Sequence, residues 1–183
     1  MLRAAVDYIA EHGPDGLSFR QLAAAAGVSH QAPYHHFNDR RGIFQAIANE
    51  GFALFADALR AAVVRDDVDT STALLQAYVE FAVEHKGHFR VMFRTDLVGI
   101  DEHPELGTVA DESFDVLLNH VGRLLGPGAS VADIRDRVVT MWSLAHGLAT
   151  LLIDGPLEIK VGALADRDAL IRAIARHSGM SEY

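Results

Sequence analysis

No cysteine occurs among the 183 residues, so disulfide bridges and thiolate chemistry are both excluded, and an intracellular setting is expected. Long apolar runs are missing as well. The longest uncharged stretch, 138–153, is shorter than a bilayer span and is interrupted by Thr140, Ser143, His146 and Gly147, so no membrane segment is expected. No basic stretch leading into an apolar run opens the chain, and export is not expected. Positive charge is scarce: 16 Lys and Arg stand against 25 Asp and Glu, a formal charge of −9. Taken alone, that balance weighs against a phosphate-binding surface. Neither a G-x-S-x-G nor a carboxylate–histidine cluster is present, which makes an enzyme the least supported class and leaves catalytic residues, metal and cofactor all at none. What remains is ordinary globular composition, half apolar and 22% charged, in a chain long enough to bury a core.

The charge is uneven. Residues 1–50 hold Arg3, Arg20, Arg40 and Arg41 against Asp7, Glu11, Asp15, Asp39 and Glu50, while the remainder holds nearly all of the acidic excess. The N-terminal segment is therefore the one that least repels a polyanion.

Periodicity is helical throughout. Leu2, Ala5, Val6 and Ile9 share one helix face, and Gly13-Pro14-Asp15-Gly16 ends that helix. Ser18 and Gln21 fit a capping box for a second helix that Gly27 closes. Ser29 is placed to cap a short third helix, and Asn38 or Asp39 a long fourth one from Ile43 to about Val64. Leu74, Tyr78, Phe81 and His85 share the face of a fifth, ended by Gly87; a short helix follows through Phe89, Met92 and Phe93, then a loop from Gly99 to Pro104. Further helices carry Phe114 to Leu125, then Val131 onward under a Ser130 cap to Asp154-Gly155-Pro156, and finally about Asp166 to His177. The expected fold is all-α, about nine helices, with no sheet.

One segment carries more information. In AAAAGVSHQAPYHHF, residues 23–37, two short helices meet at a tight glycine turn, and the small side chains Ala23 to Ala26 let the second backbone come close at a steep angle. That is what a helix-turn-helix requires if its second helix is to enter a groove about 12 Å wide. Leu22, Val28 and Phe37 are expected to form its apolar interior, with Ser29, His30, Gln31, Tyr34 and His35 outside. Pro33 fits only the first turn of a helix, which places the start of helix 3 near Ser29 or His30.

The stretch AAVDYIAEHGPDGLSFRQLAAAAGVSHQAPYHHFNDRRGIFQAI resembles the N-terminal domain of the tetracycline-repressor (TetR) family of transcriptional regulators. Residue type, spacing and helix punctuation agree over residues 1 to about 50. The resemblance implies a homodimer that reads a palindromic operator with helix 3 and releases it when a small ligand enters the C-terminal domain. Usual members carry Lys-Gly-Thr-Leu where this chain has His30-Gln31-Ala32-Pro33, a departure that bears on base preference and not on the fold. Trp142-Ser143-Leu144-Ala145-His146-Gly147 is similar to a Trp-x3-His-Gly signature of one subgroup. The implied domains are 1–46, a helix-turn-helix DNA-binding domain, and 47–183, for ligand binding and dimerisation.

On this reading Gln31 and His30 reach base edges and Ala32 meets a thymine methyl, while Ser29, Tyr34, His35 and Arg40 hold the phosphate backbone, helped by Ser18 and Arg20. Phe55, Phe81, His85, Phe89, Met92, Phe114, Trp142 and His146 are the candidates for a pocket taking a mostly apolar or aromatic effector. The run 138–153 is apolar nearly all round, which implies burial on more than one side; Val139, Leu148 and Leu152, with Leu170, Ile171 and Ile174 of the last helix, are expected at a dimer interface. Adjacent His35 and His36 point about 100° apart on a helix and do not suit one metal ion. The H-x-x-H of His85 and His88 has no carboxylate at ligand spacing, so both are read as structural. A helical small-molecule binder without DNA affinity is the alternative, favoured by the acidic balance.

Overall fold

A computed structural model describes residues 1–65, 67–99, 104–162 and 166–180, the side chains of 104–106 excepted. Among these residues there are eleven helices and no strand. They are α1 (Leu2–His12), α2 (Phe19–Ala26), α3 (Ala32–Phe37), α4 (Arg40–Val63), α5 (Thr70–Glu84), α6 (Lys86–Met92), α7 (Thr95–Val98), α8 (Pro104–Leu125), α9 (Val131–Ile153), α10 (Pro156–Val161) and α11 (Arg167–His177). The two beyond the expected nine are short. α7 is a single turn, and α10 uses Pro156 as a first-turn residue where the sequence suggested only a stop. Most of the expected Gly99–Pro104 loop lies outside the described residues. No described helix is long and apolar enough to cross a membrane.

The chain forms two compact units, Met1–Leu54 with His85–Asp111, and Phe55–Glu84 with Glu112–Tyr183. The division expected at residue 46 follows chain order, whereas these units interleave, and α4 and α8 each supply residues to both.

In the first unit, α1 buries Ala5 and Ile9, as its spacing requires, and packs on α6. Gly87 makes the close approach possible, because a Cβ there would overlap the Val6 carbonyl oxygen. The sequence reading gave Gly87 the task of ending α5. The break falls instead at His85, whose backbone leaves the helical range, and Gly87 is a packing residue of α6. Arg90 then donates to the Ile9 and Ala10 carbonyls at 3.3 and 3.1 Å, adding a second donor to the Ile9 oxygen that Gly13 already caps and tying α6 to the end of α1.

In the second unit α5 is the enclosed helix. Ten of its fifteen residues are buried, among them the polar Ser71, Thr72 and Gln76. Ser71 Oγ pairs with His120 Nε2 at 2.9 Å, and Gln76 Oε1 accepts from Arg65 at 3.3 Å, so the buried polar groups are satisfied. α5 packs on α9 and α11. The run 138–153, expected to be covered by its own core on one side and by a second copy on the other, is less enclosed than α5. α9 buries Val138, Met141, Ala145, Leu148 and Ala149 but leaves Val139, Trp142 and Leu151 exposed. Val121, Val138, Met141 and Met180 close the core at its far end.

Candidate nucleic-acid interface and aromatic network

The α2–α3 segment is built from local rules. Ser18 Oγ accepts from the Gln21 backbone N–H at 3.3 Å, and the Gln21 side chain takes the Ser18 N–H at 2.9 Å: the capping box that the sequence predicts. Gly27 closes α2 in the left-handed region at φ 66°, and the Val28 N–H reaches back to the Ala23 carbonyl. Leu22 and Ala23 are buried, whereas Ala24 and Ala25 are exposed and Ala26 is half-buried, so of the alanine run only its first residue lies on the inner side.

α3 begins later than expected. Residues 29–31 form a turn, Gln31 is the N-cap residue, and its side chain makes no capping bond. Ser29 contributes its carbonyl to the Ala32 N–H and does not cap the helix. Pro33 explains the shift: it is buried in the first turn, which holds the rigid ring against the fold, with Ala32 as the first helical residue and Ser29, His30 and Gln31 outside the helix. Val28, expected inside, is 40% exposed, because the chain leaves the αL glycine heading away from the core. Ser29, His30, Gln31, Tyr34 and His35 are all exposed and Ala32 is half-buried. Tyr34 is 58% exposed, yet its ring sits edge-on to Phe19 with centroids 4.2 Å apart, which fixes its direction.

Two residues of the predicted phosphate set are engaged elsewhere. The Arg40 guanidinium donates to the Pro14 and Asp15 carbonyls at 2.7 Å each and lies over the Phe44 ring, tying the α1–α2 turn to the start of α4. The Ser18 hydroxyl is taken up by its capping box. Arg20 remains exposed on α2. Asp39 caps α4 through the Gly42 N–H at 2.8 Å, one of the two caps proposed.

The effector candidates separate between the units. Phe55, Phe81, Phe114, Trp142 and His146 belong to the second, and His85, Phe89 and Met92 to the first. Those of the second unit gather around a residue the sequence reading left out, Tyr78. Phe55 contacts the Tyr78 and Phe81 rings at centroid distances of 5.0 and 4.9 Å, and Phe114 meets Trp142 edge-on at 5.8 Å. Trp142 Nε1 donates to Tyr78 Oη at 3.3 Å, and Tyr78 Oη lies 2.8 Å from His146 Nδ1. Tyr78 Oη thus joins the indole N–H and the imidazole in one hydrogen-bonded chain, its direction at Nδ1 being set by the His146 tautomer. Burial raises the Tyr78 pKa and lowers that of His146, so the pair is neutral. The only sequence signal for Tyr78 was a phenol on an otherwise apolar face, three residues before Phe81.

In the first unit His88 is buried and neither ring nitrogen has a hydrogen-bond partner among the described residues; Glu50 Oε1 is 3.9 Å from Nε2. Burial, opposed by the Glu50 charge, holds its pKa below the usual imidazole value. The His85 and His88 rings stand 5.8 Å apart, and among the described residues no three potential metal ligands gather. Of the residues assigned to a dimer interface, Val139 is 51% exposed, Leu152, Leu170 and Ile174 are half-buried, and Leu148 and Ile171 turn into the core of their own chain. Those last two present no surface to a partner. Val139, Ser143, Gly147, Thr150 and Leu151 are exposed along α9.

Residues 1–47 match the family described as bacterial regulatory proteins, tetR family, and residues 71–177 match the tetracyclin repressor-like C-terminal domain. The HTH-type transcriptional repressor AcnR of Corynebacterium glutamicum is 39% identical over 59 residues, which is 32% of this chain and 31% of AcnR. The class A tetracycline repressor protein from transposon 1721 of Escherichia coli is 37% identical over 75 residues, 41% of this chain and 33% of that protein. The matched stretch thus spans about a third of each curated relative. Among solved structures, a Rhodococcus protein of unknown function aligns over 97% of this chain and 90% of its own, with 30% identity and a TM-score of 0.70. The regulator PfmR of Thermus thermophilus shares the fold over 100% of this chain and 98% of its own, at 16% identity and a TM-score of 0.63.

Proposed function

The chain belongs to the tetracycline-repressor family, and from that premise we propose that it is a homodimeric, ligand-responsive DNA-binding regulator, a repressor acting in the cytoplasm on a palindromic operator. The observation that carries this reading is the surface formed by Ser29, His30, Gln31, Tyr34 and His35: five exposed hydrogen-bonding side chains on one rigid turn and helix. Gln31 and His30 address base edges, with Ala32 against a thymine methyl. Ser29, Tyr34, His35 and Arg20 meet phosphates, while Ser18 and Arg40 hold the α1–α2 turn that presents them. Base-edge contacts specify and phosphate contacts position. Gln31→Ala should therefore relax preference at a single base position in a binding-site selection, and Tyr34→Phe should weaken binding to all sequences alike. The opposite pattern would reverse the two assignments. A gel shift on DNA flanking the protein's own gene, in low and moderate salt, separates this function from DNA-free ligand binding. A steep salt dependence with sequence preference supports it, and no shift in low salt opposes it.

The effector reading rests on the Tyr78–Trp142–His146 network within an aromatic surround, which suits a mostly apolar or aromatic ligand carrying one hydrogen-bonding group. The narrower likeness through the Trp-x3-His-Gly signature belongs to this proposal: Trp142 and His146, one turn apart, both engage Tyr78. Such a ligand acts by binding one state better than another, shifting the separation of two α3 copies away from about 34–36 Å, one turn of duplex. The exposed strip of α9 is rich in small residues, which allows close approach of a second copy; light scattering giving a monomer at micromolar concentration would remove the dimer.

A further inference from the structure

We propose that the cleft between α8 and α9 on the second unit binds an amphipathic organic anion, specifically a long-chain carboxylate. The cleft holds about 820 Å³, within the size of small-molecule sites. Phe114 and Leu118 from α8 and Val131 and Val139 from α9 give it apolar walls, and all four are exposed as they stand. Its length from Phe114 to Gly126 is roughly 18 Å at the rise of a helix, room for an extended chain of about a dozen carbons.

Charge decides the class of occupant. The whole chain is −9, yet the charged residues lining this cleft are Arg123 and Arg135, with no carboxylate among the described lining. Both lie toward the α8–α9 turn, and the Phe114 end is apolar, so the headgroup and tail positions are distinct. Arg135 is partly engaged by Asp136 at 2.7 Å, which leaves Arg123 as the main partner for an added anion. A second copy is the competing occupant, since Val139 also belongs to the α9 strip proposed for the dimer; two lining arginines without a lining acid favour the anion. The inference does not depend on DNA binding, and Phe114 is the one residue shared with the effector candidates.

The test is calorimetric titration of the full chain with dodecanoate, and with dodecanol as the uncharged control, both below the concentration at which dodecanoate aggregates. One-to-one binding of dodecanoate, at least tenfold tighter than dodecanol, is expected. Arg123→Gln should bring the two together. Gly122→Leu should abolish both, because a side chain at Gly122 meets nothing within 4 Å and so fills the cleft without disturbing the fold. Retained melting temperature in both variants confirms that the fold is intact. Three results overturn the proposal: no saturable dodecanoate binding, equal affinity for acid and alcohol, or Gly122→Leu leaving binding intact. A change of oligomeric mass in Gly122→Leu also overturns it, since the cleft would then be a contact between copies.

Discussion

The two working surfaces are built by opposite means. The α2–α3 surface is made by local backbone rules, a capping box, an αL glycine and a buried first-turn proline, and it points its polar groups outward where water satisfies them. The aromatic network of the second unit is made by tertiary contact: Tyr78 meets Trp142 and His146 across 64 and 68 residues of sequence, with its polar groups bonded to one another and only partly shielded from water. Local rules tolerate change at exposed positions. A part-buried network tolerates it less, because removing one partner takes a hydrogen bond from each of the others.

Three substitutions or conditions sharpen that contrast. Gly87→Val should have the largest effect, because any side chain there collides with the α1 backbone at Val6. About 3 kcal/mol of destabilisation is expected, with loss of DNA binding because α1 supports the α2–α3 turn; a melting scan with a gel shift checks both. An unchanged melting temperature would show that α1 and α6 are not packed as described. Tyr78→Phe should be milder, roughly 1–3 kcal/mol, since it removes the hydroxyl that both the Trp142 N–H and the His146 ring engage. Ligand-free DNA affinity at low temperature should be untouched, so a matching loss of affinity would erase the distinction between the two surfaces.

The smallest effect is a pH dependence. His88 and His146 are both held below the ordinary 6.5 by burial. The unfolded chain therefore binds more protons than the folded one between those lowered values and 6.5. The sign follows directly: stability contributed by the neutral rings is fully present above pH 6.5 and falls as pH drops toward the folded-state values. Denaturant titrations at pH 7.5 and 5.5 should show the loss, and Gln at both positions should flatten it. A rise in stability on acidification would contradict the burial of the two rings.

The same contrast governs what could be read in the chain itself. Helix faces, the Ser18 and Ser130 boxes, the Gly27 stop and the outward set around Gln31 follow from spacing and turn chemistry, which act over a few residues. Errors arose where partners are distant. Arg40 has the chemistry of a phosphate ligand, but its carbonyl acceptors lie 25 and 26 residues away. Ser71 and Gln76 are polar yet buried, because His120 and Arg65 reach them from 49 and 11 residues away. Tyr78 was passed over for the same reason. Leu148 and Ile171 were placed at an interface because periodicity identifies an apolar stripe without saying which neighbour covers it.

The central claim is that paired α3 surfaces lie in neighbouring major-groove segments of duplex DNA. Hydroxyl-radical footprinting on a selected site tests it most directly. Two protected patches centred about one helical turn apart, roughly 10 base pairs and related by two-fold symmetry, are the predicted result. A single unpaired patch, or uniform reactivity along the duplex at low salt, would contradict it.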